Sequence, residues 1–446
     1  MRQNMKETFD TYGAAEEYIN ATPKFTSKNS MENTERFWKH LGYPARKCKV
    51  VHVAGTNGKG SVCAYLCSVL EKAGISCGRF TSPHLVTMRE RFVIGKEMVS
   101  EEEFLRAFCV VKEALACLPP ELAEAAYHPT FFEYLFFMAM VLFEKRGVEY
   151  VVLETGLGGR LDATNVVKEK KLCILTSIGY DHMEYLGGTL SEIAAEKAGI
   201  LREGVPVVYP DRQEQVSRVI ETCARKIGAK TFPLKKTAIK DMKIKNKTID
   251  FSLYLHYYDY IGFTVSTSAL YQVENASLAA SALMLLQEKR ITLPVLQDGV
   301  RETFWEGRME EIWPSVYVDG AHNVDGIRAF LESVEQHSCA GRRMLLYSTV
   351  RDKQYQEAAA LLAGTALFDE IGLTALQSER ALPLGQLVDT FRQYTGISVK
   401  AYDTLEEALK TLLGQKTERD EVYIVGSLYL VGEVKALLRS LKDDQF

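Results

Sequence analysis

The sequence predicts an α/β fold in two unequal parts. Three observations carry this. The β-branched run Val50-Val51-His52-Val53-Ala54 breaks into a glycine-rich turn and then at once into a helical pattern. Further apolar runs, among them Tyr150-Val151-Val152-Leu153 and Cys173 to Ile178, also end in polar or glycine-rich loops, with helical stretches between them. Beyond about residue 308 the alternation restarts, with strands expected near 312–318, 343–349, 367–373, 397–401 and 421–426.

The first turn reads Gly55-Thr56-Asn57-Gly58-Lys59-Gly60-Ser61, and Val62, Leu66, Val69, Leu70 and Ala73 follow on one helix face up to Gly74. Glycines let backbone N–H groups approach an anion, the helix N-terminus adds positive potential, and Lys59 adds a full charge. The spacing is G-x-x-G-K-G-S rather than G-x-x-x-x-G-K-[ST]. The arrangement points to nucleotide phosphates on Gly58, Lys59, Gly60 and Ser61; the plain alternative is an ordinary glycine turn.

A hydrophobic content of 47% against 25% charged residues supports packed cores and argues against global disorder. A net charge of −4 argues against a nucleic-acid binder that relies on bulk charge. The nine cysteines form no C-x-x-C pair and read as reduced and intracellular. Met1 to Ala21 lacks an apolar leader, and the most apolar helix, Phe131 to Phe143, is interrupted by Glu133 and too short to span a bilayer. A cytoplasmic protein without membrane or nucleic-acid partners is expected.

In chain order, residues 1–48 read as a helical lead-in, with Phe37, Trp38 and Leu41 on one face before Gly42-Tyr43-Pro44. The strand Cys77 to Phe80 ends in Thr81-Ser82-Pro83-His84, at the strand end where α/β sheets place ligands. An extended segment near Arg91 to Ile94, a helix from about Glu101 to Cys117 and the apolar helix from Thr130 follow. Glu154 ends an apolar strand and precedes Thr155-Gly156-Leu157-Gly158-Gly159-Arg160, where three glycines in four positions suggest backbone close to a ligand. Such a strand-tip acid is a candidate Mg²⁺ ligand or a solvated carboxylate. A helix from about Ser191 to Gly199 holds Lys197, residues 230–267 read as β-rich, and Gln272 to Gln287 reads as a strongly amphipathic helix. The division is expected at about 291–308, giving domains 1–298 and 308–446.

Together these motifs closely resemble the folylpolyglutamate and dihydrofolate synthases, the folate branch of the Mur ligase superfamily. The resemblance rests on Leu41-Gly42-Tyr43-Pro44, His52 to Ser61, Thr81-Ser82-Pro83-His84 with Glu90-Arg91, and Glu154 to Asn165. It continues through Asp181-His182 with Leu186-Gly187, Glu196 to Ile200, Asn275-Ala276, Gly307-Arg308, Asp319 to Asn323, Asp352-Lys353 and Gly426 to Gly432. It implies a P-loop, Mur-ligase-like N-terminal ATPase domain with a smaller Rossmann-like α/β C-terminal domain that acts as glutamate ligase. The implied activity is ATP-dependent amide ligation. A folate carboxylate attacks the γ-phosphate of ATP, and the acyl phosphate is captured by the amino group of L-glutamate. Dihydropteroate is the second acceptor the resemblance admits.

Residue by residue, the resemblance gives ATP phosphates to Gly58, Lys59, Gly60 and Ser61, and further ATP contacts to Asn275, Arg308 and Asp319. It gives Mg²⁺, at two sites, to Ser61, Ser82, Glu154, His182 and Lys197 as a carbamyl-lysine, with K⁺ as a further cation. Lys59, Lys197 and His182 form the candidate catalytic set, with His322 near the transferred group. Read as a residue alone, His182 is better taken as a hydrogen-bonded structural histidine, and the plain alternative for Lys197 is a salt-bridging lysine. Folate is given to the loop Ser30 to Asn33, to Thr130, Phe132 and Glu133, to Leu161, Asp162 and Ala163, and to Ser427, Leu428 and Tyr429. Phe132 is open between stacking on a pterin ring and packing in the core. Closure of two lobes would keep water from the acyl phosphate, and a monomer is expected.

The chain departs from the family pattern at Thr87, where relatives carry arginine and Arg89 lies nearby, at Trp305-Glu306 before Gly307-Arg308, at Val324 after Asn323, and at Leu373-Thr374-Ala375-Leu376. The alternatives are a Mur-type ligase acting on a cell-wall precursor and a catalytically inactive nucleotide-binding regulator. The first needs a substrate domain ahead of the phosphate loop, for which about fifty residues leave no room; the second is opposed by Lys59, Glu154, His182 and Lys197 occurring together.

Overall fold

The computed structural model describes residues 9–23, 29–245, 247–255, 258–351, 354–378 and 380–443; the Asp352-Lys353 motif lies outside the described residues. Contacts group the chain into two units. One comprises Met1–Ile178, Leu190–Lys236 and Leu278–Gly299, the other Gly179–Thr189, Thr237–Ser277 and Val300–Phe446. The sequence places a single division; by contacts, two earlier stretches, 179–189 and 237–277, also group with the second unit.

The first unit is built on an eight-stranded sheet. Its strands are β1 (Lys49–Ala54), β2 (Cys77–Phe80), β3 (Phe92–Ile94), β4 (Glu97–Met98), β5 (Tyr150–Glu154), β6 (Leu172–Leu175), β7 (Val207–Asp211) and β8 (Thr231–Lys235). They lie in the order β4-β3-β2-β5-β1-β6-β7-β8, parallel except for the β2-β3-β4 edge. The chain leaves β1 toward β2 and later returns to β6 on the other side. The strand order therefore reverses at β1, and such a switch point places ligands outside the carboxyl ends of the strands.

Burial on both faces explains why β1 and β5 read as unbroken apolar runs. The helix Lys59–Lys72 is buried almost all round, Ser61 to Cys67 without a break, so the single apolar face read from the sequence is too narrow. Helix Phe131–Arg146 has its N-cap at Thr130, whose hydroxyl and Glu133 form a capping box, and ends at Gly147 in the left-handed conformation. Its Phe136 and Phe137 pack with Phe37, Trp38 and Phe80 in the core of this unit.

The second unit holds a three-stranded antiparallel sheet of β9 (Ile239–Lys245), β10 (Thr248–Tyr254) and β11 (Tyr260–Val265), matching the β-rich reading. Its larger sheet contains β12 (Glu310–Trp313), β13 (Val316–Asp319), β14 (Arg343–Tyr347), β15 (Glu370–Thr374), β16 (Ser398–Tyr402) and β17 (Glu421–Val425). The order is β12-β13-β17-β14-β15-β16, parallel except for β12. The strand read at 312–318 is thus a hairpin: Pro314 and Ser315, the latter at φ +55°, turn the chain between β12 and β13. Helix Tyr271–Leu285 is not amphipathic as read, because Asn275 to Ala280 are all buried.

Candidate functional site

The phosphate-loop strand, turn and helix occur as the sequence indicates. Gly55 follows β1 at φ +154°, and a Cβ there would overlap the Thr176 side chain, its Cβ at 2.9 Å. Only glycine lets the loop leave β1 against the end of β6. The loop is then pinned to the next strand end: Thr56 and Asn57 N–H donate to Ser177 O (2.8 and 3.4 Å), and Ser177 Oγ donates back to Asn57 O at 3.2 Å. Gly58 starts the helix at φ +88°, and the first intrahelical bond is Val62 N–H to Gly58 O. The amides of Lys59, Gly60 and Ser61 therefore occupy the anion-binding first turn. Lys59 Nζ lies 3.1 Å from Thr56 O, folded back over the loop.

The other first-unit candidates gather at the same carboxyl edge. Glu154 pairs in register with Val53 and is buried at the tip of β5. Its Oε2 accepts the Ser82 N–H at 3.0 Å, joining the ends of β2 and β5. Lys197 is 4% exposed, and its Nζ donates to Gly55 O at 2.8 Å.

The glycine loop after Glu154 approaches this lysine through protein packing. A Cβ on Gly159 would lie 2.7 Å from Lys197 O, and one on Gly156 would strike the Phe132 ring. Asn165 ties the two segments, donating to Arg160 O and Gly199 O (3.1 Å each) and accepting from Lys170 Nζ and Arg202 Nη2 (3.0 and 2.6 Å). Lys170 also donates to Ile200 O, and burial brings its pKa down to about 7. No sequence signal marks Lys170 or Arg202, because the contacts that bring them together, Lys170 to Ile200 O and Arg202 to Asn165, span thirty or more residues of chain.

Two carboxylates that the resemblance gives to folate hold the protein's own structure. Glu133 is buried and accepts from Thr130 N–H, Asn29 Nδ2 and Thr34 Oγ1 at 2.7, 2.7 and 2.9 Å. Asp162 is buried and accepts from Leu157 N–H, Thr164 N–H and Thr164 Oγ1 at 2.9, 3.0 and 2.5 Å. Thr164 Oγ1 and Thr155 Oγ1 in turn flank His52 Nε2 at 2.8 and 3.0 Å. Burial, helped by the cations of Lys170 and Arg202, holds the His52 pKa well below the ordinary imidazole value. Phe132 is half-buried beside Phe80, at 5.6 Å between ring centroids. Ala163 is buried, whereas Leu161 is 54% exposed at the loop surface.

In the second unit, Asp319 ends β13 and is buried. It accepts from Tyr271 OH (2.5 Å), Met309 N–H (3.0 Å) and Ala321 N–H (2.8 Å). Burial pushes its pKa up, against the opposing pull of Arg308. Arg308 Nη1 donates to Gly307 O, and Arg308 and Leu428 both lie against the backbone of Gly320. Asn275 donates to Gln272 Oε1 at 3.0 Å, one helical turn from Tyr271. Ser427 Oγ accepts the Tyr429 N–H at 3.1 Å, with the Tyr429 ring exposed. His182 and His322 both face Asp181, with Nε2 atoms 3.8 and 3.4 Å from its Oδ2. Tyr271 and Asp181 are the residues of this set to which the sequence reading gives no role; Asp181 stands beside His182 in a motif, whereas Tyr271 carries no signal.

Among the described residues no group of three or more His, Cys, Asp or Glu side chains is gathered as a metal cluster, and no helix is long and apolar enough to cross a membrane.

The Mur ligase middle domain matches residues 53–283 and the Mur ligase glutamate ligase domain residues 307–428. The chain is 33% identical over 444 residues to the dihydrofolate synthase/folylpolyglutamate synthase of Bacillus subtilis, covering 97% of this chain and 100% of that protein. It is 28% identical over 433 residues to the folylpolyglutamate synthase of Lacticaseibacillus casei, covering 94% and 97%. The structure of E. coli FolC in complex with DHPP and ADP superposes with a TM-score of 0.85 at 26% identity, over 97% of this chain and 98% of that one. With a phosphate loop at the sheet's switch point, a buried strand-tip glutamate beside it and relatives matched along their whole length, the chain belongs to the folylpolyglutamate synthase/dihydrofolate synthase family of the Mur ligase superfamily.

Proposed function

We propose that this protein is an ATP-dependent carbon–nitrogen ligase that joins L-glutamate to a folate, with dihydropteroate as a second acceptor. The observation that carries the reading is the Gly55–Ser61 loop held by Lys197 and flanked by Glu154 and Ser82 at one sheet edge. Such an edge suits a triphosphate: first-turn amides and Lys59 for anionic oxygens, and oxygen donors for a divalent cation. The B. subtilis relative is named for both activities, and the E. coli structure holds ADP.

The acceptor carboxylate attacks the γ-phosphorus of ATP and ADP leaves. The glutamate nitrogen then attacks the acyl carbon and phosphate leaves. Lys59 and the first-turn amides neutralise the charge that otherwise keeps carboxylate and polyphosphate apart. Ser61, Ser82 and Glu154 would hold Mg²⁺, a fit supported by their oxygen donors and by the backbone N–H that fixes Glu154 Oε2. His182 and a carbamylated Lys197 complete the proposed two-Mg²⁺ ligand set, with K⁺ as a further cation. When bound, these cations supply charge neutralisation of the phosphates.

Asn275, Arg308 and Asp319 are assigned to ATP, Asp319 to the ribose and Arg308 to phosphate; His322 stands near the transferred group. Thr130, Phe132, Leu161, Ala163, Ser427 and Tyr429 are assigned to the folate, with Glu133 and Asp162 shaping those loops from within. The domain limits 1–298 and 308–446 belong to the same proposal, as do a cytoplasmic location, which nine free cysteines favour, and a monomeric state. The test is glutamate-dependent phosphate release with tetrahydrofolate and with dihydropteroate in parallel; turnover with neither overturns the reading.

A further inference from the structure

We propose that Asp181 is a positioning residue of the ligase, one carboxylate that sets both His182 and His322. The inference rests on the ligase reading above.

His182 has φ +52° and ψ +39°, a left-handed conformation that a non-glycine residue adopts under local constraint. The constraint is visible: Asp181 Oδ1 accepts the His182 N–H at 2.9 Å. The other oxygen, Oδ2, lies 3.4 Å from His322 Nε2, 3.8 Å from His182 Nε2 and 3.3 Å from Asn323 Nδ2. The far side of the His322 ring is held as well. Its Nδ1 lies 2.8 Å from Gly320 O, and since a carbonyl only accepts, Nδ1 carries the proton. Asn323, through Oδ1, accepts the Gly326 N–H at 2.8 Å and caps the helix Val324–Glu335.

The two loops are also packed without slack. A Cβ on Gly179 would collide with the Asp325 carboxylate, so the segment entering Asp181 lies directly on the start of that helix. One aspartate thus links the 179–187 loop to the 319–323 loop. Its side chain is only 10% exposed, so the interaction is weakly screened by water. Losing the outer partner that orients a metal-ligating side chain typically costs about 10- to 100-fold in metal affinity or activity, the scale taken here for Asp181.

The experiment uses the full chain with Asp181→Asn, His322→Ala and the double variant. Asp181→Asn is isosteric and keeps an acceptor for the His182 N–H. Expected is a kcat about 10- to 100-fold lower with a much smaller change in KM for ATP, and a loss in the double variant smaller than the product of the two single losses, the remainder being the part Asp181 exerts through His182. In parallel, ¹H–¹⁵N spectra of the eight imidazoles should show the His182 and His322 signals displaced by Asp181→Asn and the rest in place. Unmoved histidine signals, or losses that multiply in the double variant, overturn the proposal. A wild-type chain inert with every folate overturns the ligase reading instead, and the imidazole spectra still decide whether Asp181 orients the two rings. Should Asp181→Asn fail to fold, Asp181→Glu is read the same way: displaced signals with reduced kcat support the proposal, wild-type signals and rate overturn it.

Discussion

Lys197 Nζ donates a 2.8 Å hydrogen bond to the carbonyl oxygen of Gly55, the residue on which the phosphate loop opens. The lysine is buried, so its ammonium holds a backbone carbonyl at the root of the loop. A carbamylated lysine keeps one N–H on Nζ, so the same bond survives when the side chain becomes an anion able to bind a cation. Loop anchor and modified ligand are thus compatible roles.

Lys197→Ala should therefore lose most of its activity, by at least about 100-fold, the scale of removing one electrostatic stabiliser. It should stay folded, with a stability loss of about 1–3 kcal/mol from the unsatisfied Gly55 carbonyl. Steady-state kinetics and thermal unfolding of the same preparation check this. Full activity would remove the assignment of that lysine.

Gly55→Ala places a methyl against Thr176. Overpacking of this kind costs about 1–3 kcal/mol, and here the strain falls on the phosphate loop. Expected are a lower unfolding midpoint and a higher KM for ATP. Removing the side-chain obstacle with Thr176→Gly in the same chain should recover part of both but not all, because an alanine at φ +154° and its 3.0 Å approach to the residue 176 backbone nitrogen remain.

Glu133 separates two accounts of one residue. Three donors converge on its buried carboxylate, so Glu133→Ala should destabilise the protein by about 2–3 kcal/mol, with Glu133→Gln milder. Denaturant unfolding measures it. An unchanged midpoint together with lost acceptor binding would make Glu133 a direct folate contact instead.

His52 sets a pH dependence. Its folded pKa lies well below the ordinary value, first through burial and then through the Lys170 and Arg202 cations. Above about pH 6.5 both folded and unfolded imidazoles are neutral and the group contributes nothing; below it only the unfolded chain takes up the proton, so stability falls as pH falls. The contribution reaches at most about 1.4 kcal/mol per pH unit. Urea unfolding at pH 7.5 and pH 5 should show a steeper acid loss in wild type than in His52→Gln. Equal slopes would mean that His52 is protonated in place.

Local chemistry carries much of this protein. The turn after β1 and the acid at the tip of β5 each depend on residues within a few positions, so strand run and glycine spacing are readable directly. What escapes reading is long-range. The strand read at 312–318 is a hairpin, because Ser315 takes a positive φ that no strong turn dipeptide announces. The three glycines after Glu154 do mark close approach, but at Gly159 the neighbour is the backbone of Lys197, some forty residues on. Asp162 and Glu133 look like site acids and are buried acceptors for their own loops, which the residue types alone do not distinguish. Lys170 and Arg202 give no local signal at all.

If the phosphate loop serves amide formation on a folate, ATP turnover is coupled to both acceptor and glutamate. The direct measurement is phosphate release from ATP by the purified chain with Mg²⁺, with and without L-glutamate, across tetrahydrofolate, dihydropteroate and no acceptor. Release is expected only when glutamate and a folate or pteroate acceptor are both present, matched mole for mole by glutamylated product. Acceptor-independent ATP turnover, or no turnover with any folate, would contradict it.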